Sequence, residues 1–537
     1  MQHTSDTRIA RIIVDQQLSL HDAERVIRHN AMISQHPQAV TRCASAHERL
    51  RRAVAEDRHI YGLTTGFGPL ANRLVDRKAG TTLQQNLVHH LATGVGPWFD
   101  WASGRAIVLA RMMSILQGVS GASDAAINAL VKLLNSDLSP CVPCKGTVGA
   151  SGDLTPLAHM VRCFQGRGAF QTQGGDVLAG ADGLGRVYLQ PLTLENRDGL
   201  ALGNGTSAMT GLAVLNGTAA ERAIQWAVRL TAAFAETQNG RIEAWHDTFA
   251  EIRPHPGQIA VTAQLKDAIG SSARVDRSIL CDRRLTNQLP MIEQLPGQDA
   301  YTLRCAPQVI GAVQDTLNWH NQVVSTELCS ATDNPVFPAD ERAPLALHGG
   351  NFMGQHVGLA SDALSNGLCV LAGLAERQIA RITDETLNRS LPAFLHEGTP
   401  GLNSGLMGAQ VTATALLAEM RTIGAASVQS LSTNGANQDV VSLVTIAARL
   451  TQAKLTAVYE IQAIMALCVA QAIDLETSRD PSRPFSSQAI ALRDYTRSVS
   501  QRLTEDRPLG AEITKLSRLM ASSFPPEFEY QKPTPHE

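Results

Sequence analysis

The sequence predicts a mainly α-helical protein built around a long antiparallel helix bundle. Residues 436–480 contain neither glycine nor proline and consist mostly of good helix formers. Such a run predicts one helix longer than about 50 Å. Its apolar positions cover more than one stripe, which indicates burial on several sides and packing between the subunits of an oligomer. Similar runs predict long helices over residues 207–236, 307–331, 355–386 and 406–430.

The first two hundred residues predict shorter elements. Ser123 is placed to cap a helix with apolar residues at helical spacing from Ile127 to Leu134, which should stop near Pro140. Residues 176–194 alternate weakly with Gly and Pro, which predicts short strands or a hairpin. Glycine-rich turns are expected over residues 61–68, 94–97 and 146–152.

These differences divide the chain into three predicted domains. Residues 1–205 form a smaller N-terminal domain with short strands, and residues 206–476 form the long-helix bundle. Residues 477–537 form a C-terminal helical segment with a polar tail, whose last residues, EYQKPTPHE, are expected to be disordered.

The composition predicts a soluble cytoplasmic protein. A hydrophobic fraction of 44% in 537 residues supplies a sizeable core, and the net charge of −3 argues against nucleic acid or an anionic membrane as the main partner. The N-terminus lacks the apolar run of a secretory signal, and no apolar stretch approaches the roughly 20 residues of a membrane helix. The nine cysteines are scattered and odd in number, which does not fit a disulfide scaffold.

Several common catalytic and metal motifs are absent from the sequence. Cys141-x-x-Cys144 has no second pair at zinc spacing, and no HExxH, Walker A or GxGxxG motif occurs. Neither a metal nor a diffusible cofactor is therefore expected. Residues 149–152 read GASG, which lacks the spacing of the serine-hydrolase GxSxG elbow.

The segment GTVGASGDLTPLAH, residues 146–159, is the most informative part of the chain. Its closely spaced glycines disfavour a helix and let the backbone fold back on itself. In one interpretation, the Gly152 nitrogen reaches the Ala150 carbonyl carbon, and ring closure with loss of water from Ser151 gives a methylidene-imidazolone. In the other, a tight loop enters a helix with Asp153 or Ser151 as its cap. Spacing alone does not choose between them.

This segment resembles the motif of the aromatic amino acid ammonia-lyases and aminomutases, a family that includes histidine, phenylalanine and tyrosine ammonia-lyases. In that family the Ala-Ser-Gly triplet, here Ala150, Ser151 and Gly152, cyclises autocatalytically to 4-methylideneimidazole-5-one (MIO). Further segments resemble the family's in the same order: YGLTTGFG at 61–68, NGTS at 204–207, QDAYTLR at 298–304, HGGNF at 348–352 and NGANQD at 434–439.

The resemblance implies a mostly α-helical homotetramer whose active sites are each built by more than one subunit. Tyr61, Ser151 and Tyr301 then need not meet within one chain. It also implies that the N-terminal domain carries the cofactor.

The resemblance implies roles for individual residues as well. Ser151 would contribute the electrophilic methylidene, which no standard side chain supplies. Tyr61 would be the base that takes the β-proton, and a neighbouring positive charge or helix N-terminus would stabilise its phenolate. Arg304 would hold the substrate carboxylate in a bidentate contact. The other implied positions are Asn204 and Tyr301 at the cofactor, Gln298 beside the carboxylate and Phe352 near substrate and cofactor.

The substrate is predicted from NLVHHLATGVG, residues 86–96, which resembles the family's selectivity loop. Where this chain has His90-Leu91, histidine-type enzymes carry Ser-His, phenylalanine-type enzymes Phe-Leu and bacterial tyrosine-type enzymes His-Leu. An imidazole pairs with a phenolic hydroxyl, and a pocket built for that hydroxyl discriminates against substrates lacking it. Leu91 would pack on the aromatic ring of the substrate. Gln438 occupies the position at which histidine-type enzymes have a glutamate. By the same resemblance, the pocket is completed by Leu154, Met407, Asn434 and Asn437.

The predicted reaction is therefore conversion of L-tyrosine to trans-4-coumarate and ammonia, with side activity on L-phenylalanine. A tyrosine 2,3-aminomutase would use the same cofactor and pocket and then return the amine to the β-carbon, a difference in lid behaviour that the sequence leaves open. Histidine and phenylalanine ammonia-lyases fit the pattern less well. An inactive helical scaffold that binds aromatic metabolites would be expected to lack Ser151 or Tyr61, and both are present.

Overall fold

The computed structural model describes residues 11–282 and 298–526, and α-helices dominate these ranges. The predicted disorder of the last residues concerns a segment outside the described ranges. The helices before residue 206 are α1 (Leu20–Arg28), α2 (Pro37–Ala55), α3 (Gly80–Leu91), α4 (Trp101–Leu116), α5 (Asp124–Leu134), α6 (Leu154–Phe164), α7 (Gly180–Arg186) and α8 (Asp198–Gly203). Those after it are α9 (Ser207–Thr237), α10 (Asp247–Glu251), α11 (Pro256–Ile269), α12 (Tyr301–Arg304), α13 (Ala306–Leu328), α14 (Gln355–Thr383), α15 (Met407–Thr422), α16 (Val444–Arg479), α17 (Ser487–Arg497) and α18 (Gly510–Ser522).

The strands are short and lie, within the described ranges, before residue 180. They are β1 (Ile12–Val14), β2 (Ile33–Gln35), β3 (Val95–Trp98), β4 (Leu138–Pro140), β5 (Pro143–Lys145), β6 (Ala169–Thr172) and β7 (Val177–Ala179). β1 pairs with β2 in parallel, with Ile12 opposite Ile33. β3 and β5 form an antiparallel pair, and β4, β6 and β7 form an antiparallel three-stranded sheet. β5 leads directly into the glycine-rich segment that begins at residue 146.

The chain forms two compact units, each discontinuous in sequence. The first unit comprises Met1–Thr218, Trp319–Asp362 and Ala425–Thr451, and the second comprises Ala219–Asn318, Ala363–Gly424 and Gln452–Glu537. The long helices α9, α13, α14 and α16 each contain residues of both units. The three continuous domains predicted from the sequence divide the chain differently, and their boundaries stay a prediction.

The longest predicted helices are present. α16 has 36 residues, which corresponds to about 54 Å. α9, α13 and α14 match the runs predicted over 207–236, 307–331 and 355–386 to within a few residues. α15 is shorter than the predicted 406–430 and ends at Thr422, just before Gly424. Ser123 caps α5 as predicted, since its hydroxyl accepts from the Ala126 amide at 3.2 Å.

Three local predictions were wrong because tertiary pairing outweighed local signals. The helix α5 ends at Leu134 rather than near Pro140, and Leu138–Pro140 pairs with β6 instead. Val95–Trp98, expected as a turn, is strand β3. Only residues 177–179 of the predicted strand region form a strand, and Gly180–Arg186 is the helix α7. In α7, Gly183 lies directly against Phe170, where any larger residue would clash.

The core of the first unit surrounds α4, in which every residue from Ala102 to Leu116 is buried. Within α4, the buried Arg105 donates to carbonyl groups at the ends of α1 and α5, including those of Val26 at 2.8 Å and Leu134 at 2.8 Å. These bonds satisfy carbonyls that have no partner inside their own helices. The core of the second unit is formed by apolar residues of α9, α11, α13, α14 and α16 within that unit.

Two helices, α14 and α16, are long and apolar enough to cross a membrane by length and composition. The prediction that no apolar stretch approaches the length of a membrane helix was therefore wrong. In the structure, 61% and 83% of their apolar windows are buried inside the protein. Such burial is typical of core helices of a soluble protein.

Candidate active site

The glycine-rich segment bends sharply between β5 and α6. Gly149 and Gly152 have φ angles of +69° and +68°, which side-chain-bearing residues rarely adopt. A Cβ atom on Gly152 would overlap the carbonyl group of Gly205, so this position admits only glycine. A parallel β-bridge joins Ala150 to Gly152, and another joins Gly152 to Gly205. The bend thus holds Ala150 and Gly152, the two residues that ring closure would join, beside each other.

Ser151 is held by a donor at each end. Asn204 Nδ2 donates to the Ser151 carbonyl at 2.9 Å, and Gln438 Nε2 donates to the Ser151 hydroxyl at 3.2 Å. Asn204 is itself fixed, because its Oδ1 accepts from the Asn334 amide at 2.8 Å and its carbonyl accepts from the buried Arg111. Two donors therefore polarise Ser151 at the carbonyl and at the hydroxyl.

Asp153 anchors the segment from its other end. Its carboxylate accepts from the Met209 amide at 2.7 Å, in the first turn of α9, and from the Thr445 hydroxyl in the first turn of α16. Burial raises the pKa of Asp153 to about 6, against the lowering effect of these hydrogen bonds. Asp153 precedes α6, but its side chain makes no capping bond there. The suggestion that Asp153 caps the helix was therefore wrong. Met209 and Thr445 lie 56 and 292 residues away in sequence, so no local pattern pointed to them.

Tyr61 lies in the same unit as Ser151. Its hydroxyl oxygen accepts a hydrogen bond from the Gly68 amide at 2.9 Å, and its ring meets Phe67 edge-on with centroids 6.0 Å apart. Its own amide donates to His348 Nε2 at 3.1 Å. The Tyr61 hydroxyl therefore faces a backbone donor at the start of the 3₁₀ turn Gly68–Leu70, which is the kind of group expected to stabilise a phenolate.

His348 acts as an acceptor for the Tyr61 segment, a role that the sequence did not reveal. Partial burial, and then the positive charges of His59 and Arg197, lower the pKa of His348. The ring is therefore biased toward the neutral form, which the acceptor at Nε2 requires. The HGGNF segment carries part of the family resemblance, but the sequence assigns no role to its histidine.

The turn at residues 433–438 contacts Ser151 through Gln438 and the Tyr61 segment through Asn434. Thr433 and Gln438 pair across it through bonds of 2.9 and 3.3 Å. Asn434, Gly435 and Ala436 all have positive φ angles, which is strained for alanine. A Cβ atom on Gly68 would stand 2.7 Å from Asn434 Nδ2, so Asn434 lies against the Tyr61 segment. Asn434 and Asn437 are exposed and Gln438 is half-buried.

His90 lies near the end of α3 and is exposed. Its Nδ1 is 2.9 Å from the Asn86 carbonyl, which can only accept. Nδ1 must therefore carry the proton, which leaves Nε2 as an acceptor in the neutral ring. His89 faces elsewhere and accepts from Arg167 at 2.9 Å. Leu91 is partly buried against the core of its unit.

Leu154 and Phe352 also belong to the first unit. Leu154 is the first residue of α6, directly after the bent segment, and is half-buried. Phe352 is half-buried in the turn before α14. The first unit thus contains Ala150, Ser151, Gly152, Tyr61, His90, Leu91, Leu154, Asn204, Phe352, Asn434, Asn437 and Gln438.

Four predicted site residues belong to the second unit instead: Gln298, Tyr301, Arg304 and Met407. Arg304 Nη1 donates to Gln298 Oε1 at 2.5 Å and Nε donates to the Asp299 carbonyl at 3.2 Å. The guanidinium stacks 4.7 Å from the centre of the Tyr301 ring. The proximity predicted for Gln298, Tyr301 and Arg304 is present.

The partners that the structure describes for Arg304 are all neutral, so none of them compensates its charge. Tyr301 is 70% exposed in the chain and Met407 is 41% exposed at the start of α15. Arg304 with Gln298 therefore forms a preorganised cationic group that is suited to a carboxylate.

Comparison with known proteins identifies the family. The aromatic amino acid lyase family matches residues 18–497. The chain is 56% identical over 515 residues to a tyrosine ammonia-lyase of Cereibacter sphaeroides, covering 95% of this chain and 98% of that protein. It is 36% identical over 519 residues to an MIO-dependent tyrosine 2,3-aminomutase of Streptomyces globisporus, covering 94% and 95%.

Solved structures agree with the predicted fold. The crystal structure of a tyrosine aminomutase from Streptomyces globisporus matches with a TM-score of 0.89 at 34% identity, covering 96% of this chain and 97% of that one. The prediction of a mainly α-helical fold is confirmed. The chain belongs to the aromatic amino acid lyase family.

Proposed function

We propose that this chain deaminates L-tyrosine to trans-4-coumarate and ammonia, with side activity on L-phenylalanine, through an MIO group formed from Ala150, Ser151 and Gly152. The observation that carries the proposal is the bent segment in which Ser151 is held by Asn204 at its carbonyl and by Gln438 at its hydroxyl. The 56% identity to a tyrosine ammonia-lyase over almost the whole chain supports the same reaction.

The bent segment fits the proposed group. Ring closure requires Ala150 and Gly152 to lie side by side, and the positive φ angles of Gly149 and Gly152 bend the segment so that they do. The MIO group supplies an electrophilic carbon, which a protein lacks among its standard side chains. Asn204 donates to the carbonyl that would become part of the ring, and a donor there makes the electrophile stronger.

Tyr61 is the proposed base for the β-proton. The Gly68 amide donates to its hydroxyl oxygen, which favours the phenolate, and His348 fixes its backbone. A base held at two points needs little rearrangement to take a proton from a bound substrate.

Arg304 and Gln298 are proposed to bind the substrate carboxylate. Gln298 and the Asp299 carbonyl occupy Nη1 and Nε of Arg304 and so hold the guanidinium at a set angle, which leaves Nη2 for the ligand. Tyr301, stacked on the guanidinium, is proposed to act at the cofactor. In the proposed shared site, binding of the carboxylate by Arg304 would fix one end of the substrate while its amine reaches the electrophile.

His90 is proposed to select tyrosine at the other end. With Nδ1 donating to Asn86, Nε2 is left to accept from the phenolic hydroxyl. Phenylalanine would leave that nitrogen unpaired in a closed pocket, which lowers its turnover without abolishing it. The residues proposed to surround the ring in the homotetramer are Leu91, Leu154, Phe352, Asn434, Asn437 and Gln438 of the first unit and Met407 of the second.

The functional form is proposed to be a cytoplasmic homotetramer with shared active sites. The proposed site residue Tyr301 is 70% exposed in the chain. Two apolar side chains of the same unit are also strongly exposed, Val411 at 60% and Leu402 at 80%. Large exposed apolar side chains near a site are expected to be covered by a further copy of the chain.

A tyrosine 2,3-aminomutase is the second candidate. It is favoured by the match to a solved tyrosine aminomutase with a TM-score of 0.89. The two reactions share the cofactor, the base and the pocket, and differ in whether the ammonia leaves or returns to the β-carbon. The identity to the tyrosine ammonia-lyase is higher, 56% against 36% for the aminomutase, and favours the lyase.

The test is to incubate the purified protein separately with L-tyrosine, L-phenylalanine and L-histidine and to separate the products by chromatography. Coumarate with equimolar ammonia supports the lyase, and dominant β-tyrosine supports the aminomutase. Ser151→Ala, which cannot form the methylidene, is the matched control and should lose the activity. Intact mass should place the wild-type chain two water molecules below its encoded mass. If the cyclised wild-type protein leaves all three amino acids unchanged, the proposal is wrong and the inactive scaffold remains.

A further inference from the structure

Gln84 lies outside every motif that the sequence brought out, yet its side chain is completely buried. It sits on α3, the helix that also carries His90. Its Nε2 donates to the Gly62 carbonyl at 2.8 Å, and its Oε1 accepts from the Leu200 amide at 2.9 Å. Both ends of one buried amide are therefore used, each by the backbone of a different segment.

One of these segments is the Tyr61 loop, which we define as residues 61–68. Gly62 follows Tyr61 directly, so the bond from Gln84 acts one residue from the proposed base. The Gly62 amide donates to the Thr65 hydroxyl at 3.2 Å, and this bond lies within the loop itself. Gly62 has a φ of +70°, and a Cβ atom there would stand 2.6 Å from Phe67 and 2.8 Å from Leu200. The loop is packed tightly at the point that Gln84 holds.

The other segment is α8, which Asn204 follows directly. Leu200 is in the first turn of α8, where backbone amides have no partner within the helix. Gln84 supplies that partner. The Leu200 carbonyl in turn accepts from the Asn204 amide at 2.9 Å. Asn204 then donates to Ser151. The path from Gln84 to Ser151 thus passes through two residues only.

Close packing supports a specific role for Gln84 rather than space filling. A Cβ atom on Gly199 would stand 2.8 Å from the Gln84 carbonyl oxygen and 3.0 Å from its Oε1. The absence of a side chain at Gly199 is what allows α3 and α8 to come this close. A hydrophobic residue of the same size as Gln84 would fill the volume but leave the Gly62 carbonyl and the Leu200 amide without partners.

We propose that Gln84 is a positioning residue that joins the Tyr61 loop to the first turn of α8, and so sets the distance between the base Tyr61 and Ser151. The inference rests on the proposed function, because it takes Tyr61 as the base. A base displaced by about 1 Å loses up to roughly a hundredfold in rate even when the substrate still binds.

The test compares Gln84→Met with Gln85→Met in the full-length protein. Gln85 is the half-buried neighbour on the same helix, so the same change there is the matched control. For Gln84→Met we expect complete cofactor formation by intact mass and a kcat for L-tyrosine lowered about 10- to 100-fold, with KM changed less than about threefold. The isotope effect from β-deuterated tyrosine should rise, because proton removal becomes slower. Gln85→Met should behave as the wild type.

Gly199→Ala is the second variant, in case Gln84→Met does not fold. Alanine suits a helix, and its Cβ would lie 2.8 Å from the Gln84 carbonyl oxygen, so it moves α3 away from α8 without removing the Gln84 amide. It should show the same fall in kcat and the same rise in isotope effect. A wild-type kcat and isotope effect in either variant would overturn the inference, as would a variant whose lower rate is explained by missing cofactor. Failure of the wild-type protein to deaminate tyrosine would instead contradict the proposed function.

Discussion

Asn204 and Ser151 are joined by a hydrogen bond of 2.9 Å from the Asn204 side-chain amide to the Ser151 carbonyl oxygen. Asn204 is only 4% exposed, and its other side-chain atom accepts from Asn334. The amide is therefore fixed in one orientation, with its donor aimed at the residue that the proposed cofactor requires. A preorganised donor of this kind acts without rearrangement during the reaction.

Asn204→Ala should lower kcat about 10²- to 10³-fold, because a donor to an oxygen that gains negative charge is worth about 3–4 kcal/mol. The measurement is steady-state kinetics with L-tyrosine, together with intact mass to establish that the cofactor still forms. Ser151→Ala gives the background rate. An Asn204→Ala enzyme with complete cofactor and wild-type kcat would show that this hydrogen bond plays no part in turnover.

Arg304→Lys should raise KM for L-tyrosine about tenfold or more while changing kcat less. Lysine keeps the charge but loses the planar fork that Gln298 and the Asp299 carbonyl orient. The matched control is Arg342→Lys, since Arg342 is exposed in the first unit and has no proposed role. An unchanged KM in Arg304→Lys would contradict carboxylate binding by this residue.

The long helices could be predicted because their signals are local. α16 contains no glycine or proline, and the hydroxyl of Ser123 caps α5 from the position its sequence context indicated. β3 and α7 could not be predicted in this way. Val95–Trp98 pairs with β5, and the glycine-rich α7 packs against Phe170 at Gly183. Such effects depend on residues distant in the sequence.

The sequence revealed those parts of the candidate site whose chemistry depends on one short continuous segment, such as residues 146–159. The glycines of that segment do occupy positive-φ positions. What stayed hidden were the residues that hold the segments together, such as Gln84, Asp153 and His348. Their contacts join residues 22 to 292 positions apart, so neither spacing nor periodicity could reveal them.

His90→Phe should move the preference from tyrosine toward phenylalanine. The change removes the acceptor for the phenolic hydroxyl, so kcat/KM for L-tyrosine should fall about a hundredfold while that for L-phenylalanine rises. His89→Phe is the matched control, because His89 is adjacent and exposed but pairs with Arg167. In each enzyme, the ratio of kcat/KM for L-tyrosine to kcat/KM for L-phenylalanine is measured by competition between the two substrates. Equal ratios in the His90→Phe and wild-type enzymes would exclude His90 as the selecting residue.

Asp153 should make the protein less stable as the pH rises from about 4 to about 6. Burial raises its folded-state pKa to about 6 from the ordinary value of 3.8. Between these values the folded chain holds a proton that the unfolded chain releases, so raising the pH favours unfolding. The loss across this window is about 3 kcal/mol. Asp153→Asn cannot titrate and should lack this part of the pH dependence.

The measurement is the apparent free energy of denaturant unfolding at fixed protein concentration, from pH 4 to pH 7, for the wild type and Asp153→Asn. Burial also raises the pKa values of Asp198, Glu236 and Glu327, and these groups contribute equally to both proteins. The difference between the two curves therefore isolates Asp153. Asp247→Asn is the control, because Lys266 lowers the pKa of the exposed Asp247 and its titration falls below the window. Parallel curves for the wild type and Asp153→Asn would mean that Asp153 is already ionised in the folded protein above pH 4. Its hydrogen-bond donors, Met209, Ala208, Thr445 and Thr147, would then outweigh its burial.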